Sequence, residues 1–212
     1  MGWAAATLRG RGVRVAYTRK IFHFGIFSGA GVVHMAGGLP ATNAYGGVVA
    51  ALVLWAVIRG DGNPLYEALG RDTDRPRRSF FILVPLVTTA AGGLLAALLA
   101  GPYATVGYLV AGWGDAVGGP VGARWGRHPY RVPSLRGVPA RRTWEGSGAV
   151  LIVGVAAAWT ALAGLGLPPS QAWLPALAAG VAGAVVEAVS HHGTDNFTVQ
   201  VAASLTALLL LG

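Results

Sequence analysis

Seven apolar segments separated by short connections dominate the sequence of 212 residues. A membrane-spanning helix needs about 20 apolar residues, with about 17 as the practical minimum, so the second, fourth and seventh segments are short. Only 11% of the residues are charged, whereas a soluble domain carries about 25%. The pattern predicts an all-α integral membrane protein, a single domain over 1–212 with about seven transmembrane helices. The segments run over roughly 22–39, 43–58, 79–100, 103–119, 147–166, 172–190 and 198–212.

Charge is confined to alternate connections between these segments. All 16 lysines and arginines lie in the ranges 1–21, 59–78 and 120–146, and the opposite connections carry no charge. If every segment crosses the membrane, the positive-inside rule predicts a cytoplasmic N-terminus and an outer C-terminus in a multi-pass protein of the cell membrane. The range 1–21 is predicted to be a basic interfacial arm on anionic headgroups, in preference to a cleaved signal peptide.

The net charge of +8 could indicate a nucleic-acid partner. Its restriction to one side of an apolar protein instead favours the lipid bilayer as the partner, and no nucleic acid is expected. The sequence has no cysteine, which excludes disulfides and cysteine-based metal or nucleophile sites.

Asp115 and a series of glycines form the first candidate site, at the end of the fourth segment. A carboxylate inside a span costs a few kcal/mol and is usually functional, although Asp115 could simply end the helix at the interface. The glycines at 114, 118, 122 and 126 are four residues apart. On a helix this spacing gives one smooth face, whereas in a loop it frees the backbone to approach a phosphate.

A second cluster stands at the entrance to the fifth segment. Thr143 is placed to cap that helix, and Glu145 falls in its first turn, where a carboxylate is favoured. Arg142, beside Arg141, is predicted to bind phosphate. For the remaining arginines of this connection, non-specific headgroup binding is the alternative; these are Arg124, Arg127, Arg131 and Arg136.

The end of the sixth segment carries the third cluster, Glu187 with Asp195 and Asn196. Carboxylate oxygens suit Mg²⁺, and Gly193 is expected to break the helix between the two acids. The adjacent His191 and His192 make a poor zinc pattern and are interpreted as interfacial or phosphate-facing.

A fourth group precedes the first segment. Arg19, Lys20 and His23 either anchor the helix as a positive flank or contact a substrate phosphate, because they share the predicted cytoplasmic face. The range 59–78 has charges of both signs and is predicted to be a solvated connection.

Four motifs in order resemble the lipid enzymes that use CTP: the polyprenol kinase family (dolichol, phytol and CTP-dependent diacylglycerol kinases) and the related CDP-diacylglycerol synthases. Three departures are visible: Gly118 replaces the alanine of DxxA, Arg142 replaces the lysine of KTxEG, and Gln200 stands where a proline often follows DNxT. The motifs are Arg19-Lys20-x-x-His23, Gly114-Asp115-x-x-Gly118-x-x-x-Gly122-x-x-x-Gly126-Arg127-His128, Arg142-Thr143-Trp144-Glu145-Gly146-Ser147 and Asp195-Asn196-x-Thr198.

The resemblance implies phosphoryl transfer from CTP to a lipid alcohol at the cytoplasmic membrane surface. Mg²⁺ would be held by Asp115 and Asp195 with help from Glu187, and either Glu187 or Glu145 would accept the hydroxyl proton. Arg19, Lys20 and His23 would contact substrate phosphate, and the range 120–146 would be a cytoplasmic nucleotide-binding loop. The implied nucleotide-binding residues are Gly114, Gly118, Gly122, Arg124, Gly126, Arg127, His128, Arg141, Arg142, Thr143 and Asn196.

Two other functions compete with the kinase. Trp144 is typical of the synthases, which are phosphatidate cytidylyltransferases, but their HGGxxDRxDS signature is absent near Asp195. A small transporter would need charged vestibules on both faces, and the uncharged outer connections speak against it. The sequence leaves open which lipid alcohol is used and whether the chain forms a homodimer.

Overall fold

The computed structural model describes residues 1–133, 140–191 and 193–212, and almost all of them are helical. Arg136 and His192 lie outside the described residues. Apart from the helices, the described chain contains one antiparallel hairpin, β1 (Pro129–Val132) with β2 (Ala140–Thr143). The all-α membrane class is confirmed. The helices are α1 Gly2–Gly10, α2 Val15–Arg59, α3 Pro64–Leu69, α4 Arg78–Ala100, α5 Ala104–Trp125, α6 Trp144–Gly164, α7 Pro169–Val189 and α8 Asp195–Leu211, with single 3-10 turns at Asp72–Asp74 and Gly101–Tyr103.

Helix α2 is interrupted at Gly38 and contains the first two apolar segments. Gly38 has φ 62 and ψ −155, a backbone conformation that L side chains rarely adopt. The two halves pack against each other, since the Tyr45 hydroxyl donates a hydrogen bond to the Ile26 carbonyl at 3.1 Å. Near the interruption, His34 bonds Thr42 at 2.9 Å. The short gap between the first two segments is therefore a helical reversal.

Four helical stretches of the described chain are long and apolar enough to cross a membrane: 15–59, 78–125, 144–164 and 169–189. The first two contain a turn, at Gly38 and Gly101, which both have positive φ. Helix α8 has 17 residues and is shorter than these stretches. The number of seven spans stays a prediction.

Helix α5 lies at the centre of the bundle. Its residues from Ala104 to Gly112 are all buried, and they pack against α2, α6 and α8. Small residues allow this close approach, which is how helices associate in lipid. Gly107 is one of the tightest examples, because a Cβ added there would overlap the carbonyl oxygen of Gln200 and the Oγ of Ser204.

We expect Gly107→Ala to destabilise the protein by at least about 1–3 kcal/mol, the usual cost of overpacking, because the atom that it meets is backbone and has little freedom to move. The measurement is thermal unfolding of the purified protein in detergent. Gly148→Ala in α6 is the control, since a Cβ there meets no heavy atom of the described residues within 4 Å. Equal unfolding midpoints for the two variants would contradict the packing of α5 on α8.

Arg78 organises the connection between α2 and α4. It is 2% exposed and donates to Asp61 at 2.7 Å, to Glu67 at 2.8 Å and to the Gly70 carbonyl at 2.8 Å. The hydrogen bond from Arg78 lowers the pKa of Glu67 below its usual range. Asn63 caps α3 by accepting from the backbone amides of Leu65 and Tyr66. The range predicted to be a solvated connection is therefore folded against the start of α4.

Helix α5 continues to Trp125, beyond the predicted end at 119, so the expected 120–146 loop is wrong for its first six residues and for the hairpin strands. Gly114, Gly118 and Gly122 of the glycine series lie on this helix instead of in a loop, and Gly126 follows its last residue. A Cβ on Gly118 would be 2.6 Å from Val150 Cγ2, and one on Gly122 would be 2.7 Å from Thr143 Oγ1. These glycines thus bring α5 and α6 close together. Asp115 lies toward the end of the bundle where α2, α6 and α8 begin and α7 ends. We term this end of the bundle the site end.

Candidate functional site

Asp115 is held by two side chains from the start of α2. Its Oδ1 accepts a hydrogen bond from Lys20 Nζ, and its Oδ2 lies 3.4 Å from His23 Nδ1. Lys20 and His23 are three residues apart and so point to the same side of α2. The first candidate site, at Asp115, and the fourth group, with Lys20 and His23, therefore meet at the site end.

Arg142 joins two further carboxylates. Its Nε lies 3.1 Å from Glu187 Oε1 and its Nη2 lies 2.9 Å from Asp195 Oδ2. Asp195 also accepts from the backbone amides of Gly193 at 3.2 Å and Asn196 at 3.0 Å. Gly193 has φ 97, so the expected break between α7 and α8 is confirmed. The break turns Asp195 back toward Glu187.

Two atoms in the group formed by Arg142, Glu187 and Asp195 are buried without a hydrogen-bond partner among the described residues. They are Arg142 Nη1 and Glu187 Oε2. Most buried polar atoms in folded proteins are paired, with protein or with water. Unpaired atoms of opposite charge at one site are suited to a ligand that carries both donors and acceptors, such as a hydrated cation with its phosphate.

A cavity of about 350 Å³, which we call the polar cavity, opens beside Asp115. It is lined by two carboxylates, Asp115 and Asp195, and by a larger number of cations. This positive excess suits a polyphosphate anion, since guanidinium groups match phosphate geometry. The cationic side chains are Arg14, Arg19, Lys20, Arg71 and Arg141.

A second cavity of about 320 Å³, which we call the glycine cavity, adjoins the first. Lys20, Asp115, Arg141 and Asp195 line both. The glycine cavity is bounded by Gly118 and Gly122 of α5 and reaches Arg142, Thr143 and Glu187. The glycine face thus packs α5 on α6 and also exposes backbone to the cavity.

Thr143 fixes the position of Arg142. Its side-chain oxygen accepts from the Gly146 amide at 3.1 Å, which confirms the predicted cap of α6. Tyr130 is the strand partner of Arg142, and its hydroxyl lies 2.6 Å from Ser147 Oγ. The hairpin and the first turn of α6 therefore hold the guanidinium between α7 and α8.

The donor chemistry of the carboxylates fits Mg²⁺. Asp115, Glu187 and Asp195 line one small cavity between α5, α7 and α8. Within the described ranges, no group of three or more His, Cys, Asp or Glu residues is close enough to hold a metal ion by itself. Mg²⁺ commonly takes only one or two carboxylates, with substrate phosphates and water as its other ligands. A magnesium site shared with a nucleotide stays a prediction.

Several predicted site residues lie away from both cavities. Glu145 accepts from His128 at 2.7 Å, and the side chain of His128 is 73% exposed. Arg124 stacks over Trp125 at 5.7 Å. None of these residues lines either cavity, and neither does Arg127 or Gly126. Asn196, in contrast, lines the polar cavity, and Gly114 and Asn196 both reach the small carboxylate cavity.

Arg14 and Arg71 are lining residues that the sequence did not single out. Arg14 precedes α2, and Arg71 lies in the connection between α3 and α4. Both line the polar cavity. Their basic character was the only available signal, and it is shared with every other arginine on this side.

A comparison with known proteins found a relative of this chain. The chain is 33% identical over 108 residues to a phytol kinase from Synechocystis sp., and the alignment covers 50% of this chain and 43% of that kinase. The match supports a phytol kinase family relationship. It agrees with the resemblance to the polyprenol kinase family. The chain thus spans less than half the length of the phytol kinase that it matches. No family model and no solved structure matches the chain.

Proposed function

We propose that the protein is a CTP-dependent kinase that transfers a phosphoryl group to the hydroxyl of a long-chain lipid alcohol. Phytol, polyprenols such as dolichol, and diacylglycerol are the candidate acceptors. The proposal is carried by one observation: Asp115, Glu187 and Asp195 converge from three helices beside a cavity with five cationic side chains. The relationship to the phytol kinases supports it. The preference for CTP rests on the resemblance of the motifs.

The cationic side chains and the carboxylates have separate tasks in this proposal. Arg19, Lys20 and Arg141 bind the phosphate oxygens, and the backbone at Gly118 and Gly122 allows close approach. Asp115 and Asp195, with Glu187, would hold Mg²⁺, which neutralises charge on the triphosphate. Phosphoryl transfer needs mainly positioning and electrostatic stabilisation, and these are what this arrangement offers.

The transfer is a displacement at the γ-phosphorus. The alcohol oxygen forms a bond to phosphorus, the bond from phosphorus to the bridging oxygen breaks, and CDP leaves with the electron pair. The hydroxyl proton passes to Glu187, whose Oε2 is buried without a partner among the described residues. Glu145, the other predicted acceptor, is paired with His128 outside both cavities.

In this proposal the protein lies in the cell membrane and its site faces the cytoplasm. The cationic residues of the polar cavity come from the ranges 1–21, 59–78 and 120–146, which hold every lysine and arginine of the chain. The positive-inside rule predicts that these ranges lie in the cytoplasm, where soluble nucleotide is available.

The test uses the purified protein in lipid nanodiscs with phytol, a polyprenol or diacylglycerol and with CTP labelled at the γ- or the α-phosphate. We expect label from the γ-position in a lipid phosphate, CDP as co-product, and much weaker transfer from ATP. Label from the α-position in the lipid, with release of pyrophosphate, would identify a cytidylyltransferase. The absence of both products, together with vectorial uptake of a solute after reconstitution into closed liposomes, would support the transporter.

A further inference from the structure

A third cavity, which we call the apolar cleft, runs along the bundle between the two halves of α2 and helix α4, with α5 and α8 behind it. It has a volume of about 330 Å³, within the range of pockets that bind small ligands. The lining is predominantly apolar, with Phe22, Ile26, Val53, Ile82 and Leu86 toward the site end. Because burying apolar surface lowers the free energy, this cleft is suited to bind a hydrocarbon chain.

The apolar cleft meets the polar cavity at the site end of the bundle. Arg19 and His23 line both. His23 is 7% exposed, and its Nδ1 lies 3.4 Å from Asp115. A molecule with one apolar chain and one polar end can therefore occupy the cleft with its polar end beside the predicted phosphate site.

The length of the cleft sets the length of the chain that it can cover. On α4 the lining extends from Ile82 to Leu94, which corresponds to about 18 Å at 1.5 Å per residue. This is more than half of the roughly 30 Å thickness of the hydrocarbon core. Asn43, in the second half of α2, adds a polar side chain to this lining. The cleft thus covers one chain about as long as a single leaflet.

We propose that this cleft binds the tail of the acceptor, a single-chain alcohol, with the hydroxyl emerging past His23 toward Asp115. This inference rests on the proposed function and deepens it, because it selects one class of acceptor. The single tail of a phytol-like alcohol can lie in one cleft of this kind, whereas diacylglycerol has two acyl chains and would leave one of them outside the cleft. Entry is from the bilayer side, where Gly46 and Gly47 of α2 are exposed.

The glycines at 46 and 47 allow the cleft to be blocked without disturbing the fold. A Cβ added at either position meets no heavy atom of the described residues within 4 Å, although both line the cleft. Gly46→Leu and Gly47→Leu therefore place a side chain in the space assigned to the tail. Ala44→Leu is the matched control, because Ala44 is exposed on the same helix and does not line the cleft.

The experiment compares phytol with geraniol, a shorter isoprenoid alcohol, in nanodiscs. For Gly46→Leu we expect the KM for phytol to rise about tenfold or more, the effect of uncovering a few methylene groups, with kcat little changed. The KM for geraniol should change by less than about twofold, because a shorter tail has less apolar surface in the cleft. Ala44→Leu should match the unmodified protein with both alcohols.

Three results would overturn the inference: an unchanged KM for phytol in both leucine variants, equal effects on phytol and geraniol, or a preference for diacylglycerol over phytol. Photolabelling with a diazirine-bearing phytol analogue separates this failure from that of the proposed function. If no alcohol is phosphorylated, labels on α2 and α4 that unlabelled phytol displaces still support the cleft. Labels that phytol does not displace would refute it.

Discussion

Asp115→Asn is expected to lower phosphoryl transfer by about 10²–10³-fold, the range seen when one preorganised charge-stabilising group is removed. The substitution keeps the size of the side chain and removes its charge. Lys20 and His23 then face a neutral amide, and the predicted metal site loses an anionic ligand. The measurement is γ-phosphate transfer from CTP to phytol by purified protein, with folding checked by size-exclusion chromatography.

Asp72→Asn is the control for this prediction, because Asp72 is an exposed carboxylate in the connection between α3 and α4. A titration with Mg²⁺ then separates two roles of Asp115. If the carboxylate holds the metal, the variant should need a higher Mg²⁺ concentration for its residual activity. If it only orients Lys20 and His23, the Mg²⁺ dependence should stay the same while the KM for CTP rises. Near-normal turnover would remove Asp115 from the site.

The long helices were predictable because their length and hydropathy leave few alternatives. The predicted segments 79–100, 147–166 and 172–190 correspond to Arg78–Ala100, Trp144–Gly164 and Pro169–Val189. The end of α5 was not predictable, since glycines and Pro120 argue against a helix by local propensity. Close packing of Gly118 on Val150 overrides that propensity. Tertiary contacts decide such cases.

The candidate site residues could be named from their chemistry, but their partners could not. Lys20 and Asp115 are 95 residues apart, and Arg142 and Asp195 are 53 apart. No periodicity connects such positions, so each pairing depends on how the helices pack. The same packing moves Glu145 outward to His128. The sequence motif thus predicted which groups are present, and the fold determines which of them face one another.

Arg142→Ala is expected to have the second largest effect, on stability as well as on activity. Arg142, Glu187 and Asp195 have side chains only 10–14% exposed, and removing one partner of a buried ion pair typically costs about 3–5 kcal/mol. We expect a lower unfolding temperature in detergent and no measurable transfer. Arg124→Ala, which removes an arginine stacked on Trp125 outside both cavities, is the control.

Two further variants separate the fold from the chemistry at Arg142. Arg142→Lys restores the residue usual in the resembled motif, but an ammonium group lacks the planar fork that contacts Glu187 and Asp195 together. Its stability and activity should therefore fall between those of the unmodified protein and Arg142→Ala. Adding Glu187→Gln to Arg142→Ala removes one uncompensated charge and should raise the unfolding temperature without restoring transfer. If that double variant recovers activity, Arg142 serves only the fold and Glu187 is not the proton acceptor.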